Sequence, residues 1–137
     1  MAKLIKFVNS VLCEYVAKGE GGKNTLVNVY GGDVLVSTLP AQLQLGIYIE
    51  IVVDSDTLER IELDLKMDDT VFATVGAAIR HDNPPYSLGL PTANLAISSF
   101  EIGVDKDLVL EVIGRAKGYK PTKLLSKRIL KNPAIPS

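Results

Sequence analysis

The residues able to do chemistry in this chain are few and poorly grouped. Cys13 and His81 are its one thiol and one imidazole. As a nucleophile and base they make a poor pair. Cys13 sits in the apolar run Val11-Leu12-Cys13, where a thiol behaves as a small hydrophobe with a raised pKa. His81 opens a Pro-rich loop beside Asp82, and nothing brings it within hydrogen-bond reach of the thiol. The carboxylates offer more. Asp54/Asp56 and Asp105/Asp107 are Asp-x-Asp pairs, and Asp68-Asp69 is an adjacent pair. If successive strands reverse direction, Asp68, Asp69, Asp105 and Asp107 share one end of a sandwich, with Asp54/Asp56 at the other end near His81-Asp82. Four loop carboxylates at one end is the arrangement of calcium-binding domains of the C2 type, because calcium needs six or more converging oxygens. Each pair also falls in a turn, where Asp is favoured for bonding nearby backbone, and turn chemistry is the preferred reading.

Two other motifs dissolve on inspection. Gly19-Glu20-Gly21-Gly22-Lys23 has the look of a phosphate loop, but the Walker pattern requires longer spacing, a Ser or Thr after the Lys, and a helix to follow. Here Asn24 follows and a strand comes next, so the segment is a turn. The basic tail carries Lys117, Lys120, Lys123, Lys127, Arg128 and Lys131 with Tyr119 as its lone aromatic. Nucleic-acid readers add stacking aromatics or a recognisable motif to such charge. A solvated face that partly pairs with the acidic middle is therefore expected, and no nucleic-acid partner. That middle holds eight acids from Glu50 to Asp69 against Arg60 and Lys66, while the chain from Arg115 onward has seven bases and no acid.

The elements that must position these residues are strands. From Leu43 to Val53 the odd positions Leu43, Leu45, Ile47, Ile49, Ile51 and Val53 are apolar, and Gln44, Gly46, Tyr48, Glu50 and Val52 lie between them. Side chains alternate faces along a strand, so one face is buried and the other largely wet. Leu58–Met67 alternates the same way, with Ile61, Leu63, Leu65 and Met67 inward. Lys3–Val16, Leu26–Tyr30, Val34–Ser37, Val71–Ile79, Asn94–Val104 and Asp107–Lys117 complete the set. Val71–Ile79 is mild on its second face and is expected to be covered on both. Gly31-Gly32-Asp33 reads as a hairpin into Val34, and Pro40 interrupts pairing before the long strand. The segment 122–131 has no decisive periodicity and reads as a final strand or a short helix. Seven to nine short strands with regular turn signals predict an all-β fold, a single antiparallel β-sandwich, C2-like or immunoglobulin-like. It spans residues 1–131, followed by a flexible tail at 132–137.

At 137 residues one domain with one core is expected. No apolar run approaches the ~20 residues needed to cross a bilayer. The apolar N-terminus is broken by Lys6, Asn9 and Ser10, no small-residue cleavage site follows, and Leu12 stands where a lipoprotein signal wants a small residue. An uncleaved cytoplasmic protein is expected, and a lone Cys agrees with a reducing compartment.

The stretch Val11-Leu12-Cys13-Glu14, the turn Gly21-Gly22-Lys23 and the segment Leu26-Val27-Asn28-Val29-Tyr30-Gly31-Gly32-Asp33 resemble a bacterial and phage family of unknown function, DUF6941. In that family a Gly-Lys turn leads to a G-x-Y-x-G-x hairpin, followed by a Pro-containing strand of the Leu39-Pro40-Ala41-Gln42-Leu43 type. The resemblance covers most of the chain and is strongest over 11–53. Asn28 stands where the family usually carries Gly. The resemblance implies a small β-sandwich, phage or prophage encoded, with no catalytic residue, metal ligand or cofactor to assign.

The expected activity is binding, not catalysis, of a protein partner or a second copy through the loop His81–Pro91 (which displays Tyr86 and Leu88) and through strand edges. The first rival is a calcium- or phospholipid-binding module using Asp68, Asp69, Asp105 and Asp107. The second is an enzyme using its carboxylates directly.

Overall fold

The computed structural model describes residues 3–53, 58–79 and 92–132. Among them are eleven strands and no α-helix: β1 (Lys3–Leu4), β2 (Phe7–Lys18), β3 (Asn24–Val29), β4 (Val34–Val36), β5 (Ala41–Val52), β6 (Arg60–Met67), β7 (Thr70–Ala78), β8 (Thr92–Val104), β9 (Leu108–Arg115), β10 (Tyr119–Lys120) and β11 (Thr122–Lys131). They build a four-stranded sheet in the order β3-β2-β5-β8, a five-stranded sheet in the order β4-β11-β9-β6-β7, and the small pair β1-β10. The segment 122–131, open between helix and strand in the sequence, is strand β11.

The alternation in β5 explains the layering. Leu45, Ile47, Ile49 and Ile51 are fully buried and face Ile61, Leu110, Val112 and Ile129 of the other sheet within one core. Each such side chain contributes about 1.5–3 kcal/mol on leaving water, so a strand carrying four of them requires a covering layer. Phe72 of β7 and Phe100 of β8 meet across the two sheets, ring centroids 6.4 Å apart, and close one side of the sandwich.

The sandwich is not purely antiparallel. β4 runs parallel to β11, and β1 parallel to β10. The Gly31-Gly32-Asp33 segment is accordingly not a hairpin. β3 ends in the four-stranded sheet and β4 begins in the five-stranded one, so this segment crosses between layers. Two contacts hold the crossover: Arg128 grips the Asp33 carboxylate at 2.7 and 3.1 Å, and the Lys127 ammonium donates to the Tyr30 carbonyl at 3.1 Å. The expected cover on both faces of Val71–Ile79 is also absent. β7 is an edge strand, and Val71 and Val75 remain exposed.

Two tight turns close hairpins. Gly19–Lys23 closes β2 onto β3, with the Gly19 amide donating to the Lys23 carbonyl and Gly21 at φ 68°. Asp68-Asp69 closes β6 onto β7, with Asp68 at φ 54°, a left-handed conformation that Asp tolerates. Asn28 is also left-handed, at φ 53°, just before the chain leaves β3.

Gly46 sits where β5 meets an irregularity of β8 near Ser98, between the pairs Leu45–Phe100 and Ile47–Ile97. A methyl group at Gly46 would lie 2.8 Å from the Ser98 carbonyl oxygen and 3.1 Å from the Tyr15 Cα, both backbone atoms that have no side-chain freedom to yield. Gly46→Ala is therefore expected to cost about 1–3 kcal/mol, read as a lower urea midpoint at unchanged slope.

Candidate functional site

The register assigns every strand residue to a face. On the outer face of the five-stranded sheet stand Arg60, Glu62, Asp64 and Lys66 of β6, Glu111 and Arg115 of β9, and Lys123 and Arg128 of β11. These charges neutralise one another. Arg115 forks onto Asp64 at 2.6 and 2.9 Å, Arg60 meets Glu62 at 3.0 Å, and Lys123 meets Glu111 at 2.8 Å. The Asp64 carboxyl is held below its ordinary value of 3.8, chiefly by the Arg115 hydrogen bonds, with burial opposing and the Thr74 hydroxyl assisting.

The outer face of the four-stranded sheet is different in kind. Its rows are Tyr15 beside Val27, Cys13 beside Val29 and Gly46, Val11 beside Tyr48 and Ala96, and Asn9 beside Glu50 and Asn94. Tyr15 is 41% exposed, Val27 39% and Val29 53%. Cys13 lies buried beneath this surface, its thiol donating to the carbonyls of Tyr15 at 3.3 Å and Gly46 at 3.6 Å. Burial pushes the thiol up from its ordinary value, which disfavours the thiolate a nucleophile needs. Burial likewise raises the Tyr48 hydroxyl, with the Glu50 charge adding to it. The charges at outward strand positions of this sheet are Glu50 and Glu101, and Lys6, just before β2, is exposed beside Val52 at the Glu50 end. Glu50 is held by neutral donors, the Asn9 amide at 3.2 Å and the Thr92 hydroxyl at 3.1 Å.

The carboxylates singled out in the sequence are partly brought together. Asp68 and Asp107 share one end of the sandwich, where Asp68 exchanges hydrogen bonds with Val109 and Asp107 accepts from the Lys131 amide at 2.8 Å. Lys106 lies 3.9 Å from Asp68. Asp105 borders a shallow 410 Å³ hollow with Pro40 and Gln42 at the same connection, and Asp69 is exposed in its turn. Among the described residues no group of three or more His, Cys, Asp or Glu side chains is placed to hold a metal ion. A backbone amide takes Oδ1 of Asp68 and another takes Oδ1 of Asp107.

Gly19–Lys23 is a strand-to-strand turn, as its sequence implied. The basic tail is dispersed: Lys123 and Arg128 are ion-paired, Lys127 reaches the Tyr30 carbonyl, and Lys120 lies in β10 beside β1. His81, Asp82, Tyr86, Leu88 and the prolines of that loop, with Asp54 and Asp56, lie outside the described residues.

Sequence reasoning did not find the apolar outer face. Its signal was present: β2 and β3 flank a tight turn, and both carry apolar residues at consecutive positions (Leu12-Cys13, Tyr15-Val16, Leu26-Val27), a pattern that leaves neither face polar. Among the described residues no helix is long and apolar enough to cross a membrane. Comparison of the chain with protein-family models and with curated proteins returns no match.

Two outcomes follow. Because folding lowers the Asp64 pKa, the contribution of its pair with Arg115 is complete above about 3.8 and is lost as pH falls through the lowered folded value. The urea midpoint of Asp64→Asn is thus expected to fall below that of the parent protein at pH 7, and the difference to vanish at the acid end of the range. With Asp68 and Asp107 turned to backbone amides, millimolar calcium is expected to leave the melting temperature unchanged, and an upward shift on titration would reinstate a metal site.

Proposed function

We propose that this chain is a non-enzymatic protein-binding or self-associating module, and that it makes contact through the outer face of its four-stranded sheet. One observation carries this reading: Tyr15, Val27 and Val29 stand exposed together on a face without ion pairs between described residues, while the opposite face is closed by them. Apolar surface left in water is costly and is retained where a partner covers it, and aromatic side chains are enriched at such contacts. The buried, carbonyl-bonded thiol supports binding over catalysis, since burial disfavours the thiolate a nucleophile needs. Membership of DUF6941, and with it a phage or prophage origin, is part of this proposal and rests on the resemblance over residues 11–53, from which Asn28 departs.

A Tyr15→Lys/Val29→Lys variant tests the reading. Both side chains point away from the core, so the variant is expected to melt within a few degrees of the parent protein. The parent protein is expected either to associate with rising concentration in sedimentation velocity or to recover a partner from its native host, and the variant is expected to lose that behaviour. A control on the charged face, Lys123→Glu, is expected to retain both. Equal behaviour of the two variants would remove the apolar face as the contact surface.

A further inference from the structure

We infer that β7 pairs edge to edge with β7 of a second copy of this chain, joining two five-stranded sheets into one; this surface is separate from the outer face proposed above. Among the described residues, β7 has β6 on one side and no strand on the other. It is nine residues long and carries neither charge nor Pro, the devices that blunt an exposed edge. The other edges are less suited to pairing. β4 has only three residues, and β3 is interrupted by left-handed Asn28. β8 sets Ser98 and Ser99 against the single residue Gly46 in mid-strand. In β7 the irregularity falls near the start, at Phe72, and residues 73–78 keep an unbroken register with β6.

The open side has a defined hydrogen-bonding phase. The Ile79 amide donates to the Glu59 carbonyl at 2.8 Å, just past the end of the β6–β7 ladder. Bonded pairs alternate along an antiparallel ladder, so Ala77, Val75 and Ala73 also turn their backbone groups to β6. Those of Thr74, Gly76 and Ala78 point to the open side. A two-fold axis through Gly76 sets Gly76 opposite Gly76 of the second copy and Thr74 opposite its Ala78, so every one of these amides and carbonyls finds a partner. The side chains suit the same axis. Val75, 37% exposed although it faces inward, meets Ala77 of the second copy. A methyl group at Gly76 would collide with the Arg60 guanidinium, which lies over it and pairs with Glu62. Two apposed glycines leave room for both Arg60 side chains at the axis. Residues 73–78 offer a foreign strand no charge and no large side chain to recognise, whereas they fit their own small side chains on both faces. Such a two-fold contact is closed and ends at a dimer.

The test follows residue-resolved amide exchange and sedimentation velocity of the full chain from micromolar to millimolar concentration. A monomer–dimer equilibrium is expected, and exchange at Thr74, Gly76 and Ala78 is expected to slow about tenfold or more as the dimer fills. Ala78→Pro removes an outward amide and leaves the ladder to β6 intact, as Pro does on an edge. It is expected to weaken the dimer about thirtyfold, the effect of two hydrogen bonds lost across the axis. Val75→Lys, which puts a charge on the inner side of the edge, is expected to leave a monomer. With β7 forming the dimer, the outer face accounts for growth beyond two copies or for capture of a partner. Tyr15→Lys/Val29→Lys is therefore expected to keep the dimer and the slowed exchange. A chain that stays monomeric at millimolar concentration overturns the inference. So does a dimer in which the three amides exchange freely, which would assign self-association to another surface. Slow exchange at the three amides in the dilute monomer also overturns it, since the edge would then be covered within one copy. None of these results touches partner capture by the outer face.

Discussion

Burial of the aliphatic side chains on β5 is the constraint on which the rest of the structure depends. β5 lies between β2 and β8, so its backbone is committed on both sides, and its inward residues Leu45, Ile47, Ile49 and Ile51 are fully out of water. That burial requires a second layer, and the chain supplies it from segments distant in sequence: β6, β9 and β11 bring Ile61, Leu63, Leu65, Leu110, Val112 and Ile129 to the same core. The crossovers are a consequence. The chain must leave the four-stranded sheet after β3, after β5 and after β8, and the Asp33 and Asp107 carboxylates serve the first and last of those passages by holding Arg128 and the Lys131 amide.

The uneven charge of the sequence has a structural use of the same kind. Asp64 of β6 pairs with Arg115 of β9, and Glu111 of β9 pairs with Lys123 of β11, so the acidic middle and the basic end of the chain share one face of the sandwich. Exposed pairs contribute little singly, and the forked Arg115–Asp64 pair, with Thr74 as a third member, has the best geometry among them. The larger effect is on surface character. Spending its charges on the five-stranded sheet leaves the other outer face with glutamates and apolar side chains, and that difference, not any reactive group, is what distinguishes the two sides of the molecule.

The polar groups that chemistry might have used are engaged in holding backbone. The Cys13 thiol bonds two carbonyls beneath Tyr15, and Asp68 locks its turn onto Val109 through both its amide and its carboxylate. Asp tolerates the left-handed backbone of that turn, and the reciprocal bond ties the turn to β9.

The two-residue period alone determined the class of fold, the inward set on β5 and β6, and the hairpins at Gly19–Lys23 and Asp68-Asp69. Those are local properties: alternation follows from strand geometry, and tight turns follow from residues that accept a left-handed backbone. Tertiary structure decided which strands are neighbours. Nothing in Gly31-Gly32-Asp33 distinguishes a hairpin from a crossover, because the outcome depends on Arg128 and Lys127, some 95 residues away. The 122–131 segment became a strand because β9 and β4 offered paired edges on both sides, a hydrogen-bonding opportunity invisible in its own periodicity. The exposure of Tyr15, Val27 and Val29 belongs to the same class, since a residue on the second face of an apolar strand is core or surface according to whether another layer arrives to cover it.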